Sequence, residues 1–128
     1  MESGRPDAPH LPQAVPIDAY GNGGFRFGGM SHRGSLLCLP QGMWAWPVTR
    51  PEEIDAGTLN GVIEAANSID TLLIGAGPDV WLPSKGLRDV FRSYNIVIDA
   101  MQTPPALRMY NIMVGERRRV AAALIAMP

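Results

Sequence analysis

Residues 96–126, IVIDAMQTPPALRMYNIMVGERRRVAAALIA, decide the fold of this chain. The first six residues are almost wholly apolar and β-prone, and Asn95 and the run 102–105 bound them. Such a run suits a strand buried on both faces, as in a parallel sheet. Thr103 offers an oxygen to the orphan N–H groups of a following turn, and Pro104 tolerates a first helical position. Over 106–114 the polar residues are Arg108 and Asn111, and Gly115 follows. These lie on one narrow stripe, which predicts a helix buried over most of its circumference. Residues 120–126 read as a second apolar strand. Its alanines Ala121, Ala122 and Ala123 would let a helix approach the sheet closely.

Outward from this unit, 71–74 reads as another buried strand, and Leu87, Val90, Phe91 and Tyr94 recur at helical spacing. That helix starts near Ser84 and stops near Asn95. Leu59, Val62, Ile63 and Ala66 form a further helical stripe, with Asn67 as a left-handed stop. Thr49 and Glu52, with Pro51 between them, have capping-box spacing. Before residue 49 the period changes. Short runs at 17–20, 25–27, 30–33, 36–39 and 43–48, separated by glycine-bearing turns, predict an antiparallel meander. Strands that alternate with helices imply a parallel or mixed sheet. The expectation is therefore an α/β fold: a three-layer domain with a mixed, largely parallel central sheet plus an N-terminal antiparallel β section. Residues 17–128 are expected to form a single domain. Residues 1–16, rich in proline and polar groups, are expected to be a disordered or extended lead-in.

Composition excludes several classes. The formal charge of −1 supplies no basic field for nucleic acid. Cys38 is the only cysteine, so neither an internal disulfide nor a cysteine-built metal site is possible. Within the run 36–39 it reads as a small buried hydrophobe. No apolar run approaches the about 20 residues of a membrane span, and no secretory leader is evident. A cytoplasmic bacterial protein is expected. His10 and His32 lack acidic or cysteine neighbours at ligand spacing, so no metal, cofactor or catalytic set is assigned.

The ligand-binding candidates are Gly75, Gly77, Thr103, Arg108 and Asn111. Gly75 and Gly77 follow a strand and precede a helix, and Asp99 follows near the end of the next strand. This imitates a dinucleotide fingerprint. Val80 stands where its third glycine belongs, and a tight turn is the plainer reading. Thr103 opens a helix whose N-terminus favours an anion, with Arg108 one turn on. Pro104 and Pro105 remove two donors, and a simple cap is the plainer reading. Asn111 is a poor mid-helix residue, best explained by a structural hydrogen bond or a pocket. The partner-binding candidates are Glu116, Arg117, Arg118 and Arg119. Arginine is enriched at interfaces, whereas a solvated edge with Glu116 paired to one arginine is the plainer reading. Trp44 and Trp46 share a face, and with Trp81 at least two of the three are expected in the core.

Thr103, Ala106, Tyr110, Asn111, Glu116, Arg118 and the run 120–124, VAAAL, together resemble the C-terminal signature of an Mth-type family of domains of unknown function. Its members include a mitochondrial complex I assembly factor. The run 72–77, LLIGAG, followed by Leu82 and Pro83, is similar to the family's other recurring segment. Two positions depart from the pattern: Leu107 stands where many members have cysteine, and Arg117 where glycine is common. The resemblance implies a three-layer α/β fold and a non-catalytic role in assembly of a membrane complex of the respiratory complex I type. Protein partners, including membrane-complex subunits, would then hold the chain at the periphery of the inner membrane. The rival expectation is a small-molecule, anion or nucleotide binder, or an enzyme, with its site at the carboxyl ends of the strands.

Overall fold

The protein is described here by a computed structural model that covers residue 9 and residues 11–128. Along the chain lie β1 (Ile17–Gly21), β2 (Gly24–Phe27), β3 (Met30–Arg33), β4 (Ser35–Leu39), β5 (Gly42–Trp46), α1 (Asn60–Glu64), β6 (Thr71–Gly75), α2 (Lys85–Arg92), β7 (Val97–Met101), α3 (Thr103–Gly115) and β8 (Val120–Leu124). No helix among the described residues is long and apolar enough to cross a membrane.

The stretch 96–126 forms the strand–helix–strand unit its pattern predicts. Strands β5, β4, β8, β6 and β7 make one sheet in that order, and β1, β2 and β3 make a second. The sheet is mixed: β8, β6 and β7 run parallel, whereas β4 lies antiparallel to both β8 and β5. The N-terminal antiparallel section is thus shared. Its first three strands stand apart, and its last two extend the central sheet.

Small side chains place β8 at the centre. All five residues of the strand are buried. Ala121 and Ala123 face one core with Leu37, Leu72, Ile74, Ile98 and Phe91. Ala122, Val120 and Leu124 face the other, with Leu36, Cys38, Leu73, Phe25, Phe27 and the inner side of α3. Each large side chain removed from water contributes about 1.5–3 kcal/mol before entropy is counted. Trp44 and Trp46 lie in the first core, and the Trp46 indole donates to the Thr58 carbonyl at 2.8 Å. Burial pushes the Cys38 thiol and the Tyr110 phenol up, so both stay protonated. The phenol donates to the Val15 carbonyl at 3.1 Å.

Several expectations are corrected by packing. β7 is an edge strand, not one buried on both faces: Val97 is 68% exposed, and Ile98 points inward. A continuous apolar run does not distinguish an edge from a centre. On α3 only one face is covered, and Met109 and Ile112 are 40% and 58% exposed. Of the α2 stripe, Phe91 alone is fully buried. Asn67 sits in a 3-10 turn and is not left-handed, whereas Asn95 is, at φ 63°. The acid that closes the turn at 49–53 is Glu53, not Glu52. Its carboxylate accepts from the Thr49 and Arg50 N–H groups at 2.7 and 3.3 Å, and these bonds hold its carboxyl below the usual range.

The expected lead-in falls partly on residues 1–8 and 10, His10 included, which lie outside the described residues. Leu11 forms an antiparallel bridge with Met43 on the outer edge of β5. At the opposite edge of the sheet, Val97 N–H and Met101 C=O turn toward β6 and its flanks. The strand period of two leaves the backbone N–H and C=O groups of Ile98 and Ala100 facing away from β6, while the Ile98 side chain stays in the core. An Arg88 guanidinium N–H lies 3.4 Å from the Ile98 carbonyl.

Asn111 ties the second sheet to the helix. Its amide donates to Ile17 C=O at 2.8 Å, and its carbonyl oxygen accepts Ile17 N–H at 2.8 Å. The side chain takes the place of a strand partner on the β1 edge. Asn111→Ala is expected to cost about 1–3 kcal/mol by leaving these groups without that partner. Urea unfolding would measure the loss, and hydrogen exchange would show it earliest at the Ile17 amide. Arg117 adopts a left-handed backbone at φ 60°, which explains why glycine suits this position. Arg117→Gly should be neutral or stabilising by up to about 1 kcal/mol, and Arg117→Val should destabilise by about 1–2 kcal/mol. A shift of the urea midpoint in the same direction for both variants would refute this account.

Candidate functional site

The residues singled out from sequence gather at opposite ends of the parallel strands. At the carboxyl end, β6 finishes at Gly75 and the chain turns through Gly77, which is left-handed at φ 72°. Thr103 begins α3 and is fully buried. It is not the helix cap. Its hydroxyl accepts Gly77 N–H at 2.8 Å and donates to Ile125 C=O at 2.7 Å. The helix cap position is Gln102, whose side-chain amide donates to Pro78 C=O at 2.8 Å. A Cβ on Gly75 would stand 2.8 Å from the Thr103 hydroxyl oxygen and 2.9 Å from its Cα, so only glycine lets the helix start so close.

Backbone bonds complete the closure. Ile125 N–H donates to Gly75 C=O at 2.9 Å, Ala76 N–H to Met101 C=O at 2.8 Å, and Thr103 N–H to Gly77 C=O at 3.0 Å. In the first turn of α3, Pro104 and Pro105 carry no N–H, and Ala106 N–H donates to Gln102 C=O at 3.1 Å. The donors that an anion would need are therefore spent within the chain. Gly75, Gly77 and Thr103 do meet, but they bond to one another. A cavity of about 310 Å³ lies beyond them, lined by Ala76, Pro78, Asp79 and Ile125, and the three do not line it. Arg108 is exposed one turn further along α3, and Asn111 is committed to β1.

Glu116, Arg117, Arg118 and Arg119 lie at the other end, in the exposed turn from α3 to β8. Arg118 stands 3.6 Å from the Glu116 carboxylate. Arg119 pairs with Asp70 at 3.2 Å and donates to Asn67 C=O at 2.7 Å. Two of the three arginines are thus engaged locally.

Two surface features were not singled out from sequence. A groove of about 450 Å³ runs between residues 51–56 and α2, and it exposes Leu82, Val90 and part of Trp81. A cavity of about 310 Å³ on the three-stranded sheet is bordered by Arg26 and Arg33. The alternation around Arg26 points it outward. Only the strand register, which sequence does not supply, brings Arg33 beside it. Among the described residues no group of three or more His, Cys, Asp or Glu is placed to hold a metal ion.

Thr103→Val keeps the shape and removes the hydroxyl. It leaves the buried Gly77 N–H and Ile125 C=O without this partner and should cost about 2–5 kcal/mol, whereas Thr103→Ser should cost under about 1.5 kcal/mol. Equal urea midpoints for the two variants would show that the hydroxyl is not the anchor.

The same architecture recurs in solved structures. A protein from Rhodopseudomonas palustris is 59% identical, with a TM-score of 0.83 over 97% of this chain and 92% of that one. A Bartonella henselae protein, described as an outer membrane protein, is 41% identical, with a TM-score of 0.89 over 93% of this chain and all of that one. Among curated proteins, the rat NADH dehydrogenase [ubiquinone] 1 alpha subcomplex assembly factor 3 is 28% identical over 92% of this chain, which spans 64% of that protein's length. A family model matches residues 17–125, nearly the whole described chain, and the protein belongs to that family, the proteins of unknown function DUF498/DUF598.

Proposed function

We propose that this protein is a non-catalytic interaction protein that acts in the assembly of a membrane complex of the respiratory complex I type. The observation that carries the reading is the closure at the carboxyl ends of β6, β7 and β8. An α/β protein that works on a small ligand commonly holds it there. In this chain the Thr103 hydroxyl, the Gly77 N–H and the first turn of α3 are bonded to one another. The named role of the rat relative supports the same direction. Contact surface is available in the exposed Met109 and Ile112 of α3 and in the groove beside α2. The protein would work in the cytoplasm and reach the inner membrane through its partners, which include subunits of the complex under assembly.

Affinity purification of the tagged protein from its native cells, with membranes gently solubilised, tests the proposal. Mass spectrometry is expected to find respiratory-complex subunits enriched over an untagged control. Charge reversal at both Arg118 and Arg119 tests whether their turn contributes to that recovery. A preparation free of such subunits, together with saturable small-molecule binding that Gly77→Val abolishes, would replace the assembly reading with the ligand-binding one.

A further inference from the structure

We propose that the outer face of the β1–β3 sheet carries a site for a phosphate monoester group, held between Arg26 and Arg33. The register places the two side chains together. Arg26 lies opposite Ser31 and Arg33 opposite Gly24, so all four belong to one face. Phe25 and Phe27 point the other way and are buried. Arg26 and Arg33 are therefore diagonal neighbours on adjacent strands, about 7 Å apart at Cβ. Two guanidinium groups at that spacing can reach one phosphate from both sides.

The floor between them is bare backbone. Gly24 lies between the two arginines, and Gly21 faces it across the β1–β2 pair. A Cβ on Gly24 would run into the His32 carbonyl, so this position stays open for a reason of strand packing. The cavity measures about 310 Å³; Tyr20, 44% exposed, stands among its walls, and Ser31 adds a hydroxyl.

Charge decides the ligand class. None of the residues lining the cavity is acidic. Five of the cations elsewhere stand beside a carboxylate: Arg50 with Glu53, Lys85 and Arg92 with Asp89, Arg118 with Glu116, Arg119 with Asp70. Among the described residues Arg26 and Arg33 have no such partner, and Asp18, at the β1 bulge, forms no ion pair with either. Like charges held side by side on a sheet repel each other, and a shared anion removes that cost. Each guanidinium presents a planar fork of N–H donors. One carboxylate offers two oxygens and one charge. A phosphate monoester offers three oxygens and close to two charges, which matches two forks.

The chemistry is common to a soluble phosphomonoester and to the headgroup of phosphatidic acid. The test separates these sources on the whole chain. Amide spectra would be recorded by NMR during titration with inorganic phosphate and with glycerol 3-phosphate. Flotation would be measured with phosphatidylcholine vesicles with and without phosphatidic acid. Saturable shifts at Gly24, Arg26, Ser31 and Arg33 are expected, weakened about tenfold by Arg26→Gln or Arg33→Gln and abolished by the pair, with Tm unchanged. Flotation that needs phosphatidic acid and is lost in the double variant would assign the site to lipid, and shifts without flotation would assign it to a soluble ester. The site is overturned if neither soluble probe shifts these amides and no vesicle is bound, or if the double variant binds as well as the original chain. It does not rest on the assembly reading, because recovery of partners from cells is a separate measurement.

Discussion

One hydroxyl group holds the ends of this fold in register. The Thr103 hydroxyl accepts a hydrogen bond from the Gly77 N–H and donates one to the Ile125 carbonyl. It thereby joins the turn after β6, the end of β8 and the start of α3. Where α3 begins fixes where Ala106, Tyr110 and Met113 land against the second core. Tyr110 and Asn111 in turn fix residues 15 and 17, and so the second sheet. The arrangement depends on the missing side chain at Gly75, because any Cβ there would displace Thr103. A buried hydroxyl with both its proton and its lone pair used is rigid, and a buried hydroxyl missing one partner is costly.

The closure bears on function because it occupies the place where open α/β sheets usually present a ligand. The polar groups gathered there satisfy one another. The turn after α3 offers two arginines, Arg118 and Arg119, that are already engaged. The sheet of β1, β2 and β3 offers two that are not. Among the described residues, two neighbouring arginines without a carboxylate partner thus lie on the antiparallel sheet.

Much of this architecture was legible in residues 96–126, because apolar runs, prolines and alanines act locally. The central strand could be read from its small side chains, and the helix from its period. The role of Thr103 was harder to see, although a signal existed. A cap oxygen bonds the second or third N–H of the helix, and with Thr103 in that position Pro105 would have lacked the second. Two prolines after a threonine weaken the cap and favour another use for the hydroxyl. The partner of Asn111 lies 94 residues away, and nothing in the local pattern points to it. Strand order decides whether Val97 is covered, and the register of β2 on β3 decides whether Arg26 and Arg33 meet. Both are set by contacts between distant segments.

The two edges of the central sheet are unequal. On one side Leu11 already occupies part of the outer edge of β5. On the other, β7 turns the backbone N–H and C=O groups of Ile98 and Ala100 outward. A sheet with one open edge accepts one further strand and then has no second edge to offer. If chains of this kind meet edge to edge, growth stops at a pair instead of running on into a fibre. In such a pair the Leu11 contact would shield part of the β5 edge, and its loss would leave both edges able to accept a strand.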